Sequence, residues 1–191
     1  MMKNTAKIGV LTIGILVRLG QIPALADDWL DGTKEAYGFT NWVGQTQTNY
    51  TCLVTNWVPN LEACGVTNVA PATTVVTDEG IRDTTYFFSP TNTTNVVIEL
   101  KVIHALGVTN AHCAMMEKFS LYQAPGVFPL GATNTIIVGD RCYASATNPC
   151  PGVDFVRNNV YVSIDSYEGT CDVRNVAVAL DNQLKAISTG Q

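Results

Sequence analysis

The sequence predicts an α+β fold: an antiparallel sheet with two amphipathic helices packed on one face, cross-linked by disulfides. The prediction rests on three features of the chain. Segments with alternating apolar and polar residues fill its second half, and two further segments there have helical periodicity. Six cysteines all lie beyond an N-terminal segment that is typical of exported proteins.

The N-terminus has the layout of a cleavable secretory signal. Two lysines give it a positive start, an apolar run extends from Ile8 to Val17, and Ala24-Leu25-Ala26 places small residues before a cleavage point. The alternative is a membrane anchor, which needs about 20 apolar residues, whereas Arg18 ends this run. The sequence therefore predicts a signal peptide over residues 1–26 and a secreted, periplasmic or cell-envelope protein.

Composition narrows the possible partners. The 191 residues include 16 acidic and 11 basic side chains, a net charge of −5; loss of residues 1–26 removes three basic and no acidic side chains, which gives about −8. Such a chain lacks the basic patches that nucleic-acid binding requires. After signal removal no segment is long and apolar enough to span a bilayer. We expect one extracytoplasmic domain over residues 27–191, without cofactor or nucleic acid.

Six cysteines in an exported chain indicate disulfides rather than a metal site. None of them has the spacing of a zinc-binding pair. Six cysteines allow 15 pairings. Closeness in sequence favours two of the bonds, and the third follows by elimination. The predicted pairs are Cys52–Cys64, Cys142–Cys150 and Cys113–Cys171.

Residues 27–80 show little periodicity and are predicted to be irregular, with a short helix near Asp28–Tyr37. Three tryptophans lie there among Asn, Thr and Gln. Aromatic side chains in such surroundings are typical of a carbohydrate- or peptide-binding surface. The alternative, which we favour, is that this segment packs onto the open face of the sheet. The tryptophans are Trp29, Trp42 and Trp57.

From residue 84 to residue 187 the periodicity is clear and predicts the sheet-and-helix core. Thr84–Phe88 predicts a first strand. Val96–Ala105 predicts a second, with Ile98, Leu100 and Val102 on one face and charged residues on the other. A further strand is predicted over Thr135–Tyr143.

Two segments have helical periodicity. The first follows Thr109, a natural N-cap, and presents Ala111, Met115 and Tyr122 on its apolar face, with Ala114 and Leu121 beside them. The second begins near Thr170 or Asp172 and ends the chain. Its apolar face is predicted to contain Val173, Val176, Ala177, Leu180, Leu184 and Ile187, and its outer face Arg174, Asp181 and Lys185.

The strongest local pattern is a hairpin centred on Asn158-Asn159. Asn tolerates positive φ, so this pair suits a two-residue turn between alternating strands. The register then sets Phe155 opposite Val162 and Val153 opposite Ile164. Their polar neighbours Asp154, Ser163 and Asp165 point the other way. Replacement of Asn159 by Gly is expected to be neutral or mildly stabilising, since Gly accepts positive φ.

Several of these segments together resemble a recurrent block of uncharacterised, mostly bacterial exported proteins. There a strand leads into a helix with Ala-His, followed by a Gly-Asp strand, a Phe-Val-Arg-Gly-Asn hairpin and a helix rich in Ala and Leu. The resemblance covers about residues 96–187, with Asn158 where Gly is usual. It implies an exported α+β domain and transfers no catalytic residue. The matching stretches are Thr109–Glu117, Leu130-Gly131, Gly139–Tyr143, Phe155–Val160 and Asp172–Asp181.

Candidates for chemistry are few. His112 and Cys113 are neighbours on a helix, where successive side chains diverge by about 100° and cannot form a nucleophile–base pair. His104 and His112 could share a metal with Glu99 or Glu117, although a packed or exposed histidine is commoner.

The acidic pairs in the sequence give no clearer site. Asp27-Asp28 and Asp78-Glu79 have the character of solvated loop charges, and Asp140-Arg141 that of a strand-end ion pair or a turn. We therefore predict no catalytic, metal or cofactor-binding residue. The leading hypothesis is a non-enzymatic secreted or envelope-associated binding domain for a carbohydrate or protein ligand. The alternative is a small secreted hydrolase with a dispersed acidic and histidine site.

Overall fold

The computed structural model describes residues 50–93, 97–121, 136, 138–145 and 147–188. These residues form one antiparallel six-stranded sheet, in the order β1-β2-β3-β6-β5-β4, and two helices. The predicted α+β class is confirmed. The strands are β1 (Val66–Val76), β2 (Arg82–Pro90), β3 (Ile98–His104), β4 (Arg141–Ala144), β5 (Gly152–Arg157) and β6 (Val160–Ser166), and the helices are α1 (Val108–Leu121) and α2 (Arg174–Ser188).

The β5–β6 hairpin has the predicted register. Phe155 stands opposite Val162 and Val153 opposite Ile164, and all four side chains are fully buried. The positive φ of the turn, 55°, belongs to Asn158. Asn159 is buried as well and bonds to other segments, which leads us to expect a cost when Gly replaces it.

The two helices lie on opposite faces of the sheet, so the prediction that both pack on one face was wrong. Side chains alternate along a strand. In β3, Val102 therefore joins the core beneath α2, and the next residue, Ile103, joins the core beneath α1. Val162 and Tyr161 of β6 divide in the same way. The central strands are apolar on both faces, and each face needs a helix to exclude water.

Residues 50–65 pack beside α2, in the position where α1 was expected. Val54, Trp57 and Leu61 of this segment are buried in the core beneath α2. Trp57 is only 7% exposed, which confirms the packing interpretation for this tryptophan and removes it from a binding surface. Trp29, Trp42 and the predicted helix at Asp28–Tyr37 lie outside the described residues.

Helix α2 follows its predicted pattern with two exceptions. The Asp172 carboxylate accepts the Arg174 N–H at 3.0 Å and caps the helix, as predicted. Asp181, expected on the outer face, is 1% exposed because it pairs with Arg157 of β5. Ile187, expected in the core, is 40% exposed. In α1, Ala111, Ala114 and Met115 of the predicted face are buried, and Met116 is buried with them, whereas Tyr122 lies outside the described residues.

Neither helix reaches the length and apolar character needed to cross a membrane, as far as the described residues go. The strand predicted over Thr135–Tyr143 is observed as Arg141–Ala144, with residues 135 and 137 outside the described part. Strand β1 was not predicted. After Val66 all its residues are exposed, so it lacks the alternation of buried and exposed positions on which strand prediction depends.

No disulfide joins any of the six cysteines, all of which are described, so the predicted cross-linking is not borne out. Cys113 lies on α1, whereas Cys171 packs against the core on the other face. The sheet separates them. Cys52 and Cys64 lie near opposite ends of residues 50–65. The Cys52 carbonyl accepts a hydrogen bond from Asn158 in the hairpin turn, whereas Cys64 lies beside Gln183 of α2. Cys142 and Cys150 both contact the core beneath α2 without a sulfur–sulfur bond.

Candidate functional site

A buried charge cluster lies between α1 and the sheet. The Lys118 ammonium of α1 donates to Asp154 Oδ1 at 3.0 Å, to Asp165 Oδ2 at 2.7 Å and to Ser163 Oγ at 2.6 Å. The Tyr161 hydroxyl donates to the same Asp154 oxygen at 2.6 Å. The hairpin register predicted that Asp154, Ser163 and Asp165 share one face. The register could not predict that Lys118 joins them, because Lys118 belongs to a helix that packs on that face.

This cluster holds a lysine and a serine together, as some hydrolases do, but its charges suit a structural role. Burial alone would lower the pKa of Lys118, and the carboxylates of Asp154 and Asp165 more than offset this, so the pKa is raised. A lysine held as ammonium cannot take the proton of Ser163. The Ser163 hydroxyl instead lies 3.1 Å from Asp165 Oδ2. The cluster therefore ties α1 to β5 and β6.

A second network connects the hairpin to α2. The Arg157 guanidinium donates to both carboxylate oxygens of Asp181, at 2.8 and 3.1 Å, and to Asp140 Oδ1 at 2.9 Å. The backbone N–H of Asn158 donates to Asp140 Oδ2 at 2.8 Å, and the Tyr50 hydroxyl donates to the same oxygen. Asp140 thus pairs with Arg157 of β5.

Both carboxylates of this network are almost fully buried, and their charges are balanced within it. Burial acts to raise the pKa of Asp181, but hydrogen bonds from Arg157 and Lys185 bring it below its usual value. Only glycine suits position 139 beside this network. A Cβ there would lie 2.5 Å from the carbonyl oxygen of Val156, and the φ of +67° is one that other residues rarely adopt. The network stabilises the junction of hairpin and helix.

The two histidines do not form a metal site. His104 lies on the α2 side, with its ring centroid 6.4 Å from that of Trp57. His112 lies on α1, across the sheet, where burial and the nearby Arg141 lower its pKa to about 4. The described residues contain no group of three or more His, Cys, Asp or Glu arranged to hold a metal ion.

Within the described residues, strand β1 offers a surface suited to recognition. It stands at the edge of the sheet, and no strand within the described residues pairs with its outer side. Val69, Val75 and Val76 are 52%, 56% and 59% exposed. The strand from Val66 to Val76 contains no charged residue. Natural sheets usually protect such an edge with lysine, proline, a bulge or a covering segment; β1 has a proline, Pro71, and irregular pairing in its middle, and neither feature in the part from Thr73 to Val76.

The second half of β1 presents a regular row of main-chain groups. Its pairing with β2 is irregular between Asn68 and Thr73, around Pro71, and regular from Thr73 to Val76. The Thr77 N–H donates inward to the Ile81 carbonyl at 2.9 Å. Donors alternate in direction along an antiparallel strand, so the N–H and C=O groups of Thr74 and Val76 point away from β2.

An aromatic pair, of half-buried Phe87 and exposed Tyr167, lies close to this edge. Phe87 of β2, which stands opposite Ala70 of β1, stacks on Tyr167, with ring centroids 6.5 Å apart and 13° between planes. Tyr167 is 61% exposed, and its hydroxyl donates to Glu99. Sequence reasoning looked for an aromatic surface among the early tryptophans and missed this pair, because Phe87 and Tyr167 are far apart in the chain.

Comparison with known proteins gives this surface no precedent. The chain matches no known family, no curated protein and no solved structure.

Proposed function

We propose that this chain is an exported, non-enzymatic binding domain that takes up an extended segment of a partner protein along the open edge of β1. The observation that carries the proposal is β1 itself. It is eleven residues long, exposed beyond its first residue and without charge, and it has one unpaired edge among the described residues. Export is supported by the signal-like pattern over residues 1–26.

Addition of a strand uses groups that β1 already presents. An incoming segment would form main-chain hydrogen bonds with Thr74 and Val76, and its side chains would meet the exposed valines of β1. Pro71 has no N–H and the pairing around it is irregular, so the regular row of donors is broken between the two halves of the strand. This break also opposes unrestricted edge-to-edge growth.

The alternative of a small hydrolase has less in its favour. The two polar clusters richest in ionisable groups each contain a cation, Lys118 or Arg157, whose partners are carboxylates of the same cluster. These groups are occupied in stabilising α1 and α2. A binding function needs none of them, and places recognition on a different part of the sheet.

The test uses a fluorescent peptide of alternating Thr and Val with glutamine at both ends, and variants of Thr74. Thr74→Pro removes a donor that points outward while sparing the ladder to β2. Thr74→Val is the matched control, because both variants lose the 3.1 Å contact between the Thr74 and Thr84 hydroxyls. We expect fluorescence anisotropy to show that Thr74→Pro weakens binding about tenfold, the equivalent of one hydrogen bond, and that Thr74→Val does not.

Hydrogen exchange of the free protein provides a second measurement. The amides of Thr74 and Val76 should exchange rapidly, and should become protected when the peptide binds. Protection in the free protein would mean that the edge is already covered. That result, or equal binding by Thr74→Pro and Thr74→Val, would contradict the proposal.

A further inference from the structure

The segment that contains β1 carries only negative charge, and that charge lies beyond the two ends of the strand. From residue 50 to residue 81 the chain has no lysine or arginine. Its three charged residues are Glu62, just before β1, and Asp78 and Glu79 in the turn after it. All three are exposed. The nearest cation of β2, Arg82, stands opposite Val76 and offsets only part of the charge at the turn.

From this pattern we infer that the segment bound by β1 belongs to another protein and has an uncharged, β-branched middle with lysine or arginine at both ends. The inference rests on the proposed function. The uncharged middle matches Thr73–Val76, where a charge would find no partner. Basic ends would reach Glu62 on one side and Asp78 and Glu79 on the other. Exposed pairs of this kind are worth about 0.2–1 kcal/mol each.

The same charges disfavour a second copy of this chain as the occupant. If two β1 strands paired antiparallel, Asp78 and Glu79 of one copy would approach Glu62 of the other. If they paired parallel, identical residues would face each other. Like charges opposite one another destabilise a strand pair, and two chains of net charge −5 also repel at longer range.

The experiment compares three peptides with the same middle of alternating Thr and Val, ending in lysines, glutamines or glutamates. Binding to the full exported chain is measured by fluorescence anisotropy at low and at high salt. We expect the lysine-ended peptide to bind about tenfold more tightly than the glutamine-ended one, and the glutamate-ended one to bind most weakly. Salt should reduce these differences, because exposed charges are screened.

A triple variant, Glu62→Gln, Asp78→Asn and Glu79→Gln, isolates the charge effect. It should bind the glutamine-ended peptide as the unmodified chain does and lose the preference for lysine ends. Equal affinities for all three peptides would overturn the inference on charge and leave edge binding in place. Failure of all three to bind would overturn the proposed function. Self-association in sedimentation equilibrium, abolished by Thr74→Pro, would identify a second copy as the occupant and overturn the inference of a foreign partner.

Discussion

The β5–β6 hairpin and strand β1 belong to one sheet but are stabilised in opposite ways. The hairpin is covered on both faces, and buried ion pairs join its residues to α1 and α2. Within the described residues, strand β1 is bonded along one edge only, and after Val66 its side chains remain in water. The hairpin therefore contributes more buried surface to stability than β1 does, while β1 keeps main-chain groups available.

Amino-acid substitutions should be tolerated better in β1 than in the β5–β6 hairpin. A substitution in the hairpin leaves a buried charge or an unsatisfied polar group, and both are costly. A substitution in β1 alters groups that water already solvates, so its cost to folding is small. A surface that tolerates substitution can be adapted to a partner without loss of the fold. The four predictions below test this contrast.

The largest effect is expected from Arg157→Met. The variant leaves Asp140 and Asp181 buried without their shared cation, which should cost about 3–5 kcal/mol of unfolding free energy. Urea denaturation measures the loss. Lys185→Met is the control, since it removes a half-exposed partner of Asp181 and should cost about 1 kcal/mol or less. Equal costs for the two variants would show that the network does not anchor the hairpin.

Asn159→Gly should cost about 2–4 kcal/mol, because it leaves three buried main-chain groups without their partner. The Asn159 side chain accepts the Val54 N–H at 2.7 Å and donates to the carbonyls of Val54 and Ala105 at 2.9 and 2.7 Å. Asn158→Gly loses one such bond, from Asn158 Nδ2 to the Cys52 carbonyl at 2.8 Å, but Gly suits a φ of 55°, so the cost should be smaller, about 1 kcal/mol. Thermal melts compare the two, and the reverse order would contradict the role assigned to Asn159.

Acid should weaken the fold through His112. Its pKa is lowered from 6.5 to about 4, so between these values the unfolded chain binds more protons and stability falls as the pH falls. The loss attributable to this residue is on the order of 2–3 kcal/mol by pH 4. His112→Gln should remove that part of the pH dependence. Urea midpoints of both proteins at pH 7.5 and pH 4.5 provide the measurement, and parallel losses would refute the assignment.

The smallest effect is expected from Val75→Lys in β1. The side chain is 56% exposed and lies in no buried cluster, so the unfolding free energy should change by less than about 0.5 kcal/mol. The same substitution in the hairpin, Val162→Lys, is the control and should prevent stable folding, because Val162 is fully buried. A loss of several kcal/mol for Val75→Lys would mean that β1 is not an open edge.

Local pattern was sufficient where a residue's neighbours in the chain decide its structure. The hairpin register followed from the turn chemistry of two asparagines and the alternation on either side. The cap at Asp172 and most of the buried face of α2 followed in the same way. The sequence did not place β1, because a strand exposed on both faces has no hydrophobic period.

Contacts between distant residues could not be predicted from pattern. Lys118 meets Asp154 across 36 positions of the chain, and Arg157 meets Asp181 across 24. Burial of Asp181 depends on that partner, since a lone carboxylate would not be buried on the inner side of a helix. The cysteine pairing failed for a related reason, because proximity in sequence and elimination do not say on which side of a sheet a residue lies.

The sequence by itself determined the α+β class, the hairpin, the two helices and their principal apolar faces, since these depend on periodicity and turn residues that are local properties of the chain. Only the tertiary structure decided that α1 and α2 lie on opposite faces and that Trp57 fills the core. It also decided that Lys118 and Arg157 pair with buried carboxylates, and that β1 lies at the edge of the sheet. Each of these depends on which surfaces meet when apolar area is removed from water, and no single segment contains that information.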